Sequence, residues 1–101
     1  MKAFKIYTIE NGLVETDDYD EVISLTWHRE DGPAFTEYRY NGNIRYVAYY
    51  VNDNRHRLDG PAIIKYDVNG NIQRIEYWIN DMAYSNEQYN KELLKLKVQS
   101  L

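Results

Sequence analysis

His28-Arg29-Glu30-Asp31-Gly32-Pro33-Ala34 returns 28 residues later as His56-Arg57-Leu58-Asp59-Gly60-Pro61-Ala62. Laid over one another, 28–53 and 56–81 are identical at 14 of 26 positions. Tyr38/Tyr66, Asn41-Gly42-Asn43-Ile44/Asn69-Gly70-Asn71-Ile72, Tyr49/Tyr77 and Asn52-Asp53/Asn80-Asp81 continue the match. Val47/Ile75, Tyr50/Trp78 and Val51/Ile79 add conservative pairs, so the chain repeats one supersecondary unit.

Each unit reads as a β-hairpin. Asp31-Gly32-Pro33 and Asp59-Gly60-Pro61 open it as turns, because glycine reaches dihedrals closed to other residues and proline fixes φ at a strand edge. A first strand follows over 34–40 or 62–68. Asn41-Gly42 and Asn69-Gly70 then predict a type I′ turn with both residues left-handed. The second strand runs over 44–51 or 72–79, rich in β-branched and aromatic residues, and Asn-Asp ends it.

Alternation assigns faces. Val47, Tyr49 and Val51, with Ile75, Tyr77 and Ile79, point one way, and Tyr50 and Trp78 the other. Ile44 and Ile72 fall out of phase, which predicts a bulge or strong twist after the turn. Tyr38/Tyr66 and Tyr49/Tyr77 recur a full period apart, and this predicts a core built from tyrosine in a chain with 11 tyrosines and 2 phenylalanines.

The ends read as caps. The expectation is one domain over 1–101: an N-terminal hairpin and strand cap over 1–27, repeats over 28–55 and 56–82, and a helix over 85–98. Phe4–Ile9 and Val14 onward flank Asn11-Gly12 as a diverged hairpin, and 22–27 supplies another strand. Ser85 and Gln88 form a capping box, with Glu87 in the first turn. Tyr89, Leu93 and Leu96, widened by Leu94, Val98 and Leu101, give a stripe that can cover one end of the sheet. The expected fold is mainly β, an antiparallel meander of repeated hairpins with a C-terminal capping helix.

The His-Arg-x-Asp-Gly-Pro-Ala motif, the following strand, Asn-Gly, and a strand ending in Tyr49-Tyr50 or Tyr77-Trp78 resemble a repeat of small bacterial and phage proteins. These are similar to the MORN-like repeats of toxin-neutralising antitoxin components. The resemblance covers about 28–82. It implies stacked hairpins that serve as a scaffold or a protein-binding surface.

Length, charge and motifs narrow the function. A chain of 101 residues and 12.1 kDa holds one compact core and excludes multidomain machinery. Without cysteine it has no disulfide or thiolate metal site, which fits a reducing, cytoplasmic setting. No apolar run approaches a membrane span, and the first residues do not read as a signal sequence. All of the net charge of −4 lies in residues 1–26, densest over 15–21, where Asp17, Asp18 and Asp20 form a solvated loop or a surface that steers a basic partner.

His28 and His56, each three residues before Asp31 or Asp59, can be drawn as acid–base dyads or metal ligands, the basis of an alternative small hydrolase or metal-binding reading. Residues that recur once per unit answer a need that recurs once per unit, and here that need is the turn. The aspartate is expected to accept from nearby backbone N–H groups and the imidazole to donate back. No catalytic or phosphate-binding motif is present, so neither an enzyme nor a cofactor is expected.

Binding is the favoured reading. All six arginines lie in the repeat region among aromatics, the composition of a protein interface and of a single-stranded nucleic-acid platform. The negative total charge weakens attraction to phosphates and leaves nucleic acid as the alternative. The candidate protein-binding residues are Arg39, Arg45, Tyr46, Tyr50, Arg74 and Trp78, together with Asp17, Asp18 and Asp20.

Overall fold

In the structure, a computed structural model, residues 4–9, 12–16, 27–39 and 41–99 are described, the first two segments as strands alone. The acidic residues Asp17, Asp18 and Asp20, the strand expected over 22–26, Tyr40 and Leu101 lie outside them.

The repeat sets the topology. Strands β1 (Phe4–Ile9) and β2 (Gly12–Thr16) pair as the N-terminal hairpin. The first repeat contributes β3 (Phe35–Tyr38), β4 (Ile44–Ala48), β5 (Tyr50–Val51) and β6 (Asn54–Arg55). The second contributes β7 (Ile63–Tyr66), β8 (Ile72–Ile79) and β9 (Met82–Tyr84), and α1 (Asn86–Gln99) follows. Seven strands form an antiparallel sheet in the order β2-β1-β3-β4-β7-β8-β9, while β5 and β6 make a small separate hairpin. The mainly β meander with one C-terminal helix is therefore the fold.

The two-residue left-handed turn lies at Asn-Asp, where the sequence expectation only ended the strand, and not at Asn-Gly. Asn41 and Asn69 are not left-handed; among the turn residues Gly42 and Gly70 are, at φ 90° and 84°. In the second repeat Gly70 N–H donates to the Asp67 carbonyl and Asp67 N–H to Asn71, giving a three-residue loop that ends in a left-handed glycine. The two-residue turns with both positions left-handed are Asn52-Asp53 (φ 50° and 68°) and Asn80-Asp81 (48° and 66°). Asn-Asp therefore does not end the unit. It folds the chain back into a second, shorter hairpin, β5–β6 in one repeat and the end of β8 with β9 in the other.

The expected bulges are present. Register slips between Glu37 and Tyr38 opposite β4, and between Lys65 and Tyr66 opposite β8, leaving Arg45 and Gln73 as the extra residues.

Register also fixes which face holds the core. Phe35, Ala48, Ile63 and Glu76 sit opposite one another across four strands. Phe35, Ala48 and Ile63 are buried, with Trp27, Tyr46, Tyr50 and Trp78 packed against them. Trp27 stacks on Phe35 at 5.1 Å and meets Tyr50 edge-on at 4.8 Å. One buried cluster thus centres on a phenylalanine, on the face carrying Tyr50 and Trp78, while Val47, Ile79 and, against Tyr77, Tyr89 are buried on the other. Tyr38, Tyr49, Tyr66 and Tyr77, expected as the core, are half-buried on the opposite parity. That face carries the row Thr36, Val47, Ile64 and Ile75, of which Val47 is buried and Ile75 exposed.

Helix α1 starts on the reciprocal capping box: Gln88 N–H donates to Ser85 Oγ at 3.2 Å and Ser85 N–H to Gln88 Oε1 at 3.3 Å. Its packing is narrower than the stripe predicts. Tyr89 is buried, Leu93 and Leu96 are half-buried, and Leu94 and Val98 are exposed.

Candidate functional site

The repeated polar residues hold the turns together. His28 Nδ1 accepts the Asn52 N–H at 2.9 Å, and His56 Nδ1 accepts Asn80 N–H at 3.0 Å. The imidazole is an acceptor for a turn 24 residues ahead, not a donor across its own Asp-Gly-Pro. Three further bonds dock each Asn-Asp turn: Asp53 N–H to the Trp27 carbonyl, Arg29 N–H to the Tyr50 carbonyl, and Trp27 N–H to Asp53 Oδ1. Asp81, Arg55, Arg57 and Trp78 repeat that set.

Asp31 and Asp59 likewise take a different partner from the backbone amides expected. Arg29 Nε donates to Asp31 at 2.7 Å, and Arg57 Nε to Asp59 at 2.9 Å. The same guanidinium reaches over the turn to the Pro33 or Pro61 carbonyl. A Cβ on Gly32 or Gly60 would lie 3.1 Å from the arginine Cζ, so glycine leaves the space the guanidinium fills. The Arg29 contact lowers the Asp31 pKa.

Both imidazoles have Nδ1 engaged, and burial lowers the pKa of His56. Among the described residues no three His, Asp or Glu side chains converge into a metal-binding group, and no helix is long and apolar enough to cross a membrane.

The sheet-face candidates divide in two. Tyr50 and Trp78 pack on the core and are covered from above, Tyr50 by Trp27 and Trp78 by the Arg55 guanidinium at 3.7 Å from its ring. Trp78 Nε1 donates to Glu76 at 3.0 Å. Both residues serve mainly as packing.

Arg39, Arg45 and Tyr46 instead come together in a groove of about 480 Å³ whose walls include Glu37, Lys65 and Gln73. Register builds it: Glu37, Tyr46, Lys65 and Arg74 lie opposite one another across β3, β4, β7 and β8. The bulges bring in the rest. Strict alternation would turn Arg45 away from Tyr46, but its bulge position lets Nε reach Glu37 at 3.5 Å, and Gln73 lines the groove from the matching bulge.

Tyr46 is the floor, its ring 5.4 Å from Phe35 and 5.8 Å from Lys65 Nζ. Burial pushes its phenol pKa up to about 12, so it stays protonated. Arg74 pairs with Glu76 at 3.1 Å. Arg39 Nη2 donates to the Tyr66 carbonyl at 3.0 Å, while its Nε–H is buried without a partner. Lys65, Glu37 and Gln73 are additions to the sequence-derived set. Lys65 and Glu37 were accessible to sequence reading, since they alternate with Ile64 and Thr36 on the opposite face.

The chain matches no protein-family model, no curated protein and no solved structure.

Proposed function

We propose that this chain is a non-enzymatic protein-binding module whose recognition surface is the Tyr46 groove. One observation carries the reading: Arg39 and Lys65 both line the groove around a half-buried phenol, and neither has a carboxylate partner among the described residues. A carboxylate-bearing polypeptide segment matches this arrangement, its acid meeting Arg39 and Lys65 and its apolar part lying on Tyr46. The chain's net charge of −4 disfavours a long phosphate backbone at the same place.

The order of glycine, proline and aromatics in the repeat, similar to toxin-neutralising antitoxin components, supports a finer proposal. The partner is then a bacterial toxin or defence component inhibited by stoichiometric binding in the cytoplasm.

Quantitative affinity capture from the native host tests the groove. The wild type is expected to retain one stoichiometric protein that the Lys65→Glu variant loses, with both proteins giving the same circular dichroism spectrum. Equal capture by both rejects the groove. Salt-sensitive retention of single-stranded oligonucleotide by the wild type, with no protein, replaces this reading with the nucleic-acid one.

A further inference from the structure

The two repeats use the same residues differently. In the second repeat, Tyr89 of α1 is buried at 2% exposure, with its ring 4.6 Å from Tyr77. Its hydroxyl donates to the Arg57 carbonyl at 2.6 Å, lies 2.9 Å from the Gly60 carbonyl and accepts the Gly60 N–H at 3.2 Å. One phenol therefore satisfies the inner backbone of the Asp-Gly-Pro turn and covers an aromatic ring.

A shift of one repeat converts Arg57, Gly60 and Tyr77 into Arg29, Gly32 and Tyr49. Those three residues line an open cleft of about 530 Å³, bounded on its other side by 56–59 of the next turn. Among the described residues nothing hydrogen-bonds the Arg29 carbonyl, the Gly32 carbonyl or the Gly32 N–H. Tyr49 is covered on one side by the Arg57 guanidinium at 4.0 Å, and both side chains border the cleft.

We propose that this cleft is a socket for a tyrosine side chain of a partner polypeptide, a site separate from the Tyr46 groove. The chemistry selects a phenol. Carbonyls beside an N–H call for a group that donates and accepts, which a hydroxyl does and a phenylalanine ring does not. Arg29 and Arg57 are paired with Asp31 and Asp59 and Glu30 is the remaining charge of the lining, so the cleft does not attract a carboxylate. The ring of an incoming tyrosine meets Tyr49 as Tyr89 meets Tyr77, with the Arg57 cation adjoining. A cleft of this volume also admits backbone on either side of the tyrosine.

The test uses the intact, isotope-labelled protein titrated with N-acetyl-tyrosine amide and, separately, N-acetyl-phenylalanine amide, read by amide NMR. The tyrosine compound is expected to shift the Gly32 and Tyr49 amides and leave Gly60, whose socket Tyr89 fills, unmoved. It should bind about 2- to 12-fold more tightly than the phenylalanine compound, the equivalent of one net hydrogen bond. The Tyr89→Ala variant calibrates the probe, because its opened second socket should make Gly60 respond as well. A Gly32 amide that does not move in the wild type, or moves equally with both compounds, overturns the proposal. The wild-type comparison decides even where Tyr89→Ala does not fold.

Discussion

Arg57 joins three parts of the molecule through one guanidinium: the Asp59 carboxylate, the Pro61 carbonyl and the Tyr49 ring of the preceding repeat. Lysine keeps the charge but not the planar fork, so Arg57→Lys should lower stability by about 1–3 kcal/mol in urea unfolding. Gly60→Ala should cost about as much, since its Cβ would stand 3.1 Å from Arg57 Cζ at a φ of 153°. Gly42→Ala, with open space around it, carries only the left-handed penalty of about 1–2 kcal/mol.

His56 gives a pH signature. Burial lowers its pKa in the folded state, so the unfolded chain binds more protons between the folded value and about 6.5. The contribution is complete above about 6.5, declines as pH falls toward the folded value and levels off below it. His56→Gln should remove this step from a plot of unfolding free energy against pH. Recurrence with the unit pointed to a turn role for the histidines, and Nδ1 of each accepts a turn amide. The sequence did not show their partners, Asn52 and Asn80, which are local only after the chain folds back.

At the scale of elements, α1 is tied to the sheet by its first turns. Ser85→Ala should cost about 1 kcal/mol through the lost cap. Tyr89→Phe keeps the ring against Tyr77 but leaves the Gly60 N–H and Arg57 carbonyl without the hydroxyl, and should cost about 1–3 kcal/mol. Thermal unfolding of both variants checks these values.

Much at this scale was legible. The out-of-phase isoleucines Ile44 and Ile72 announced the bulges, and Ser85 with Gln88 announced the helix start. What failed was turn identity. Asn-Gly suits either a two-residue turn or the end of a three-residue loop, and the bonds from Asp67 N–H to the Asn71 carbonyl and from Gly70 N–H to the Asp67 carbonyl decide between them. Asn-Asp carries no glycine, yet docking through His56 and Asp81 holds both of its residues left-handed. The missed hairpin then hid the Trp27 and Arg55 covers, which made Tyr50 and Trp78 look like free surface.

At the scale of the molecule, the described chain is a slab of 47 × 30 × 19 Å with a radius of gyration of 14.7 Å. A globular chain of this length would have about 13 Å. The elongation follows from sequential pairing, each hairpin laid beside the last, and leaves a small core that depends on surface ion pairs to hold the turns. Arginine contacts lower the pKa of both Asp31 and Asp81 in the folded state. Their contribution is present above the ordinary carboxylate value and is lost as pH falls through the folded values. Acid unfolding followed by circular dichroism should therefore shift to higher pH in an Asp31→Asn/Asp81→Asn variant, and an unchanged midpoint would show these pairs to be idle. Sequence alone could count such charges but not pair them, since Asp81 meets Arg55 across 26 residues.

The join between the repeats has a consequence for length. Arg57 reaches back over the Tyr49 ring and the His56 N–H back to the Tyr49 carbonyl, and Tyr77 stands one period on, so the second unit carries the tyrosine a further unit would use. Such a chain is a ruler with a fixed graduation. Duplicating 56–83 in place should lengthen the sheet by two strands, about 9–10 Å, measurable by small-angle scattering. Each added graduation would also bring one more Arg, Gly and Tyr set of the kind that lines the cleft, turning a single recognition point into an evenly spaced series.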